Sequence, residues 1–266
     1  MDISLLSKRF AEMGARVQLR PAVNNAWRRE FPGIDIRSDG KGEYFDISLA
    51  ANEQVDYEVI DVRPDMRHLL LMARRADGKQ KFLCGHDERH WFVCAVPGDS
   101  VSTVVNAMQA LQPLLVKRLV NRRVKRVKDR LRRRNKAFVR QGEWFFVKVV
   151  PPIVEPKMFL RNERLSRGGG SKAHMCQYLY RHDGQMVWIC QRYPQGVTDE
   201  QYRKLLLTVK GAKNFGWTRM MREPIVYVRG RVWHPDHKTI VLDSWHRVFM
   251  NTEREAPGSR NVYFLD

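Results

Sequence analysis

At 266 residues, with 43% hydrophobic and 10% aromatic side chains, the chain is too apolar to be disordered throughout and long enough for one large or two ordinary domains. It offers no run of eighteen apolar residues to read as a membrane helix, and its opening MDISLLSKRFAEMGARVQLR lacks the order of a signal peptide, so the expectation is a cytoplasmic protein with no membrane partner. The net charge of +19 is uneven: residues 1–100 carry fifteen basic and sixteen acidic side chains, 101–140 thirteen and one, 141–266 twenty and twelve, which points to a polyanion-binding surface on a neutral scaffold.

In chain order, a short helix is predicted around Leu5 to Met13. A meander of strands follows: YFDISLA, DYEVIDVR, RHLLLMARR, KQKFLCGH and HWFVCAVP. PGDSVSTVVNAMQALQPLL then switches to helical spacing, with Asp99 or Ser100 as N-cap and an interruption at Pro113. Beyond it, Val116, Val120, Val124, Val127 and Leu131 recur every three or four residues through KRLVNRRVKRVKDRLRRRNKAFVR. That spacing predicts one long basic helix of roughly 35 Å with a narrow aliphatic stripe. GEWFFVKVV reads as a strand, PPIVEP as an extended connector, and RNERLSRGGGSKAHM as a polar glycine-rich loop. Asp183-Gly184 is expected to close a tight hairpin, and Thr198 with Gln201 to form a capping box. IVYVRGRVW and HKTIVLD flank the turn HPDH, with a further turn at Asp243-Ser244 before WHRVFMN. The predicted fold class is α+β: a strand-rich domain over 1–113, a basic helix or connector over 114–140, and a strand-rich basic domain over 141–266.

Four groups carry chemistry. CGHDERHWFVC holds Cys84, His86, His90 and Cys94, all competent zinc ligands. With Asp87 to Arg89 as the turn, however, the cysteines lie on one face, diagonal and too far apart for a closed site, so structural thiols are expected and only His86 and His90 stay as weak metal candidates. The four cysteines, Cys176 and Cys190 included, read as reduced and buried. His174, His234 and His237 are the candidates for acid-base catalysis; HPDH is equally satisfied as a type I turn, and His246 falls too far from it. RGGGSK places Arg167 and Lys172 beside three glycines that would admit a phosphate, but its spacing is not that of a P-loop. Finally, alternation in REPIVYVRGRVWH puts Val226, Val228, Gly230 and Val232 on one face and Tyr227, Arg229, Arg231 and Trp233 on the other, a composition suited to stacking on bases and contacting phosphates.

The stretches FLCGHDERHWFVCAVP, RRRNKAFVRQGEWFF and VRGRVWHPDHKTIVLDSWH resemble segments of uncharacterised bacterial proteins of about this length. The resemblance implies a bacterial cytoplasmic protein and carries no activity. From the residues, the expected function is nucleic-acid binding, RNA before DNA, with no cofactor and with a ribonucleoprotein as a possible setting. Arg122, Arg123, Lys125, Arg126, Arg130, Arg132, Arg133 and Arg134 would hold phosphates. The alternatives are a nuclease using the C-terminal histidines, with a divalent metal if metal-assisted, and an adaptor for an acidic protein.

Overall fold

The computed structural model describes residues 3–21, 33–49, 55–76, 78–98, 100–150, 158–166 and 172–255. They fall into two compact units, the first within Met1–Lys136 and Met250–Ser259, the second within Ala137–Phe249. The architecture is mixed and strand-rich, with four α-helices among the described residues.

In the first unit, α1 (Ile3–Glu12) precedes β1 (Val17–Pro21), β2 (Ile34–Asp39) and β3 (Gly42–Leu49), which form a sheet in the order β1-β3-β2. Four strands of the expected meander are present as β4 (Asp56–Arg63), β5 (His68–Arg75), β6 (Gly78–Asp87) and β7 (His90–Val96), antiparallel and in sequence order, whereas its expected first strand, YFDISLA, falls in β3 of the other sheet. Its β5 is buried on both faces. Leu69 and Leu71 pack with Phe10, Phe45, Ile47, Phe82 and Cys84, while Leu70 packs with Leu83, Cys94, Val96 and two residues of α2 (Val104–Ala110), Val104 and Ala107. Burial on both sides is why this strand reads as an unbroken apolar run.

The β6–β7 hairpin corrects the expected register by one residue. Glu88 and Arg89 alone form the turn, Glu88 with a φ of 54°, so Asp87 faces His90 and Cys84 faces Val93. A one-residue slip exchanges faces: Cys84 and Cys94 therefore belong to opposite cores rather than to one side. All four cysteines are buried thiols outside any disulfide. The cap of α2 is Thr103, whose hydroxyl accepts from the Asn106 amide at 3.1 Å, in place of Ser100; Asp99 lies outside the described residues.

The long basic helix does not form. α3 spans only Leu114–Arg123, Val124 and Arg126 are extended, and Val127–Asp129 is a single 3-10 turn. Val116, Val120 and Val124 are buried as the stripe requires, but Val127 is 69% exposed. A continuous helix would stack Arg118, Arg122, Arg126, Arg130 and Arg134 at four-residue intervals, each like-charge pair costing about 0.2–0.5 kcal/mol. The irregular path instead gives the charges separate partners. Arg130 donates to the Val124 carbonyl at 3.2 Å, Arg132 pairs with Asp129 at 3.1 Å, and Arg133 pairs with Asp87 and Glu88 at the β6–β7 turn.

The second unit contains β8 (Val139–Gln141), β9 (Trp144–Lys148), β10 (Leu160–Leu165), β11 (His174–His182), β12 (Gln185–Cys190), β13 (Tyr193–Val197), α4 (Asp199–Thr208), β14 (Thr218–Arg222), β15 (Ile225–His234) and β16 (His237–Met250). A six-stranded sheet runs β10-β11-β15-β16-β9-β8 and a three-stranded one β13-β12-β14. The Thr198 capping box at α4 is formed by both of its hydrogen bonds, 3.3 and 2.9 Å.

Three expectations change here. Leu160–Leu165 is a strand rather than part of a loop, while PPIVEP and the RGGGS segment lie outside the described residues. Asp243-Ser244 is not a turn: β16 runs straight through it as a bulge, with three residues between the pairs Val228–His246 and Gly230–Leu242 where β15 has one. Asp183-Gly184 does not close a hairpin either, because β11 and β12 do not pair with each other. His182 faces Ile225 and Gln185 faces Arg222, so one antiparallel ladder passes from the large sheet into the small one in unbroken register. Asp183 and Gly184 have φ of 54° and 99°, and Glu223 on the partner strand has 54°: both strands kink at the same level.

Candidate functional site

The β15–β16 connection is the tight turn expected, His234 facing His237 with Pro235 and Asp236 between them. On the other flank of β15, Met175 of β11 pairs with Trp233, which brings His174 alongside the turn. Ring centroids are 4.3 Å apart for His174 and His234, 5.4 Å for His174 and His237, and 4.8 Å for His234 and His237. One nitrogen from each lies within 4.8 Å of the others.

Residues with no sequence signal build the surroundings. The Gln141 amide donates to the carbonyls of Lys238 at 2.7 Å and Val232 at 3.3 Å, tying β8 to the β15–β16 turn. That lays Gly142, at φ 56°, over the histidines: a Cβ there would meet His237 Nε2 at 2.8 Å and His174 Nε2 at 3.3 Å. Trp144 sits edge-to-face with His174. His234 donates from Nε2 to the Lys172 carbonyl at 3.3 Å and accepts the Asp236 amide at Nδ1, 3.1 Å. The Lys172 ammonium is held by Asp236 at 2.9 Å, so its charge is already answered.

His174 is 1% exposed, and neither ring nitrogen has a hydrogen-bond partner among the described residues. Burial, reinforced by the neighbouring His234 and His237, pushes its pKa down to about 3; burial lowers that of His234 as well. A general acid or base works best with a pKa near the operating pH. An imidazole held neutral so far below neutrality is poorly suited to shuttling protons and well suited to donating a lone pair.

The second feature is the opposite face of the large sheet. Alternation along β15 is as expected, with Val226, Val228 and Val232 buried, Tyr227 and Trp233 half-buried, Arg229 and Arg231 exposed. The Arg229 guanidinium lies 5.3 Å from the Tyr178 ring centroid and 5.5 Å from that of Trp245; Arg161 is over Tyr178 at 5.9 Å and Arg247 over Phe249 at 4.8 Å. Tyr180 stacks with Tyr227 at 6.1 Å, and Phe159 packs on Trp245 at 4.9 Å. Among the described residues none of Arg161, Arg229, Arg231 and Arg247 pairs with a carboxylate. Asp199 accepts from the Trp188 indole at 2.6 Å and pairs with Arg219 at 3.7 Å.

The remaining candidates are dispersed. Arg122, Arg123, Lys125, Arg126 and Arg134 are exposed on the first unit. Arg130, Arg132 and Arg133 are engaged as described above, and Arg167 lies outside the described residues. His86 packs edge-to-face on Trp91 and His90 is 2.7 Å from Glu43, so these two do not converge. Among the described residues no helix is long and apolar enough to cross a membrane. Comparison with family models, curated proteins and solved structures gives no match.

Proposed function

We propose that the protein binds nucleic acid, RNA in preference to DNA, on the Arg/aromatic face of the six-stranded sheet. The observation that carries this reading is the set of guanidinium groups lying over aromatic rings with no carboxylate among the described residues to pair them. Aromatic planes accept bases by stacking, and arginine adds cation–π contact and phosphate pairing. A sheet face of this kind suits splayed single strands better than a duplex, whose bases are hidden in the stack. Arg122, Arg123, Lys125 and Arg126 supply a second, purely electrostatic surface on the first unit, and assembly into a larger ribonucleoprotein is compatible with both.

The test is a titration of the full chain against length-matched single-stranded RNA, duplex RNA and duplex DNA over a range of salt, with the strands recovered on a denaturing gel. Single-stranded RNA should bind most tightly, and Arg229→Glu combined with Arg247→Glu should weaken it by about tenfold or more, because two phosphate contacts become repulsions. Unchanged affinity in that variant would remove the sheet face from the account. Strands recovered cut would make the protein a nuclease, and binding to no nucleic acid would favour an acidic protein partner.

A further inference from the structure

We propose that His174, His234 and His237 form a binding site for a divalent transition-metal ion of the zinc class, held by three imidazole nitrogens beneath Gly142. This site lies outside the Arg/aromatic face and does not depend on nucleic-acid binding.

Three features of the second unit converge on it. The first is the ligand set: three imidazoles from three neighbouring strands, β11, β15 and β16, with one nitrogen each inside 4.8 Å. Neutral imidazole is a preferred donor for zinc, copper, nickel and cobalt, and three histidines with an open fourth position are an arrangement that zinc adopts. The second is the polar lining. Both ring nitrogens of His174, the indole N–H of Trp144 and the side-chain oxygen of Gln141 are buried with no hydrogen-bond partner among the described residues. A buried polar atom left so costs about 1–3 kcal/mol, and the two on the His174 ring, which stacks against His234 and His237, indicate a site made for a polar occupant. The third is Gly142. Its missing side chain leaves room at the place where a Cβ would press on the Nε2 atoms of both His174 and His237.

The tautomer of His234 agrees with ligation. Its Nε2–H donates to the Lys172 carbonyl, the outer bond that orients a metal-bound histidine, and leaves the lone pair on Nδ1. A metal there displaces the 3.1 Å contact from the Asp236 amide. Zinc–nitrogen bonds of 2.0–2.1 Å set tetrahedral ligand atoms about 3.3 Å apart. The nitrogens must therefore draw together from their present spacing, and the rings, now within 31° of parallel, must rotate out of their stack.

The test uses the full chain freed of metal with a chelator, then titrated with Zn²⁺ in competition with a chromophoric chelator, and separately with Co²⁺ while the visible ligand-field absorption is recorded. One equivalent of Zn²⁺ should bind with a dissociation constant below about 1 μM, and Co²⁺ should give the absorption of a low-coordinate nitrogen site. His234→Gln and His237→Gln are half-buried turn positions, checked for folding by circular dichroism, and each should weaken Zn²⁺ by more than the 10–100-fold typical of losing an outer partner. His90→Ala and His182→Ala should leave binding unchanged. No stoichiometric binding by the wild-type chain, or binding that survives both glutamine substitutions, would overturn the assignment.

Discussion

His174 is a residue whose environment shifts it far from its type. A histidine whose folded pKa lies near 3 and whose unfolded value lies near 6.5 takes up its proton only on unfolding across that interval. The unfolded state then binds more protons, so stability must fall as pH falls below about 6.5, by about 1.4 kcal/mol per unit. From pH 7 to pH 5 the loss from this one group is about 2 kcal/mol. Urea unfolding of the metal-free chain at several pH values measures it, and His174→Phe should flatten the dependence. Parallel losses in the two proteins would show that His174 titrates normally. Sequence could single out His234 and His237 because a four-residue turn fixes their proximity. It could offer His174 only by residue type, since the strand pairing that delivers it is non-local. Gln141 and Gly142 gave no signal at all: a glutamine that clamps two carbonyls and a glycine that spares two imidazoles look like any others until the hairpins are assembled.

Among the elements, legibility followed how local the deciding interaction is. The β4–β7 meander was readable from apolar runs and turn residues, and the capping box at Thr198 from four consecutive positions. The two main failures share a cause. Val124 is buried as a helical stripe demands, yet in an extended backbone, because burial records that a side chain faces the core and not how the chain arrives there. Asp183-Gly184 has the positive φ values of a tight turn, but its partner strand bends at Glu223 and Pro224, so the same dipeptide kinks a ladder rather than reversing it. Gly184 is held to glycine twice over, by φ of 99° and by a Cβ that would come within 2.8 Å of Met221 Cγ and 3.1 Å of Pro224 Cα. Gly184→Ala should therefore cost about 1–3 kcal/mol, read by chemical denaturation. A loss no larger than for alanine at the exposed, unhindered Gly40 would mean the kink is soft.

Across the whole molecule, the excess charge falls on two chemically different surfaces. Residues 137–249 carry nineteen basic and nine acidic side chains, and their exposed Arg161 and Arg229 lie over aromatic rings. The exposed Arg122, Arg123, Lys125 and Arg126 of the first unit have only the buried Val124 between them. Phosphate pairing is lost to salt, with log affinity falling by about 0.7 per contact for each tenfold rise in salt on single strands, whereas stacking, worth about 1–3 kcal/mol per base, is far less sensitive. The two surfaces should thus be separable by salt alone. Reversing the four first-unit charges to Glu should flatten the slope of log affinity against log salt while leaving affinity at high salt nearly intact. Tyr180→Ala with Tyr227→Ala should do the converse, lowering affinity at every salt concentration and keeping the slope. The measurement is one oligonucleotide titrated against three proteins at four salt concentrations. A tyrosine variant that loses slope instead of intercept would mean that those rings position arginines rather than receive bases, and would turn the sheet face into a second electrostatic surface.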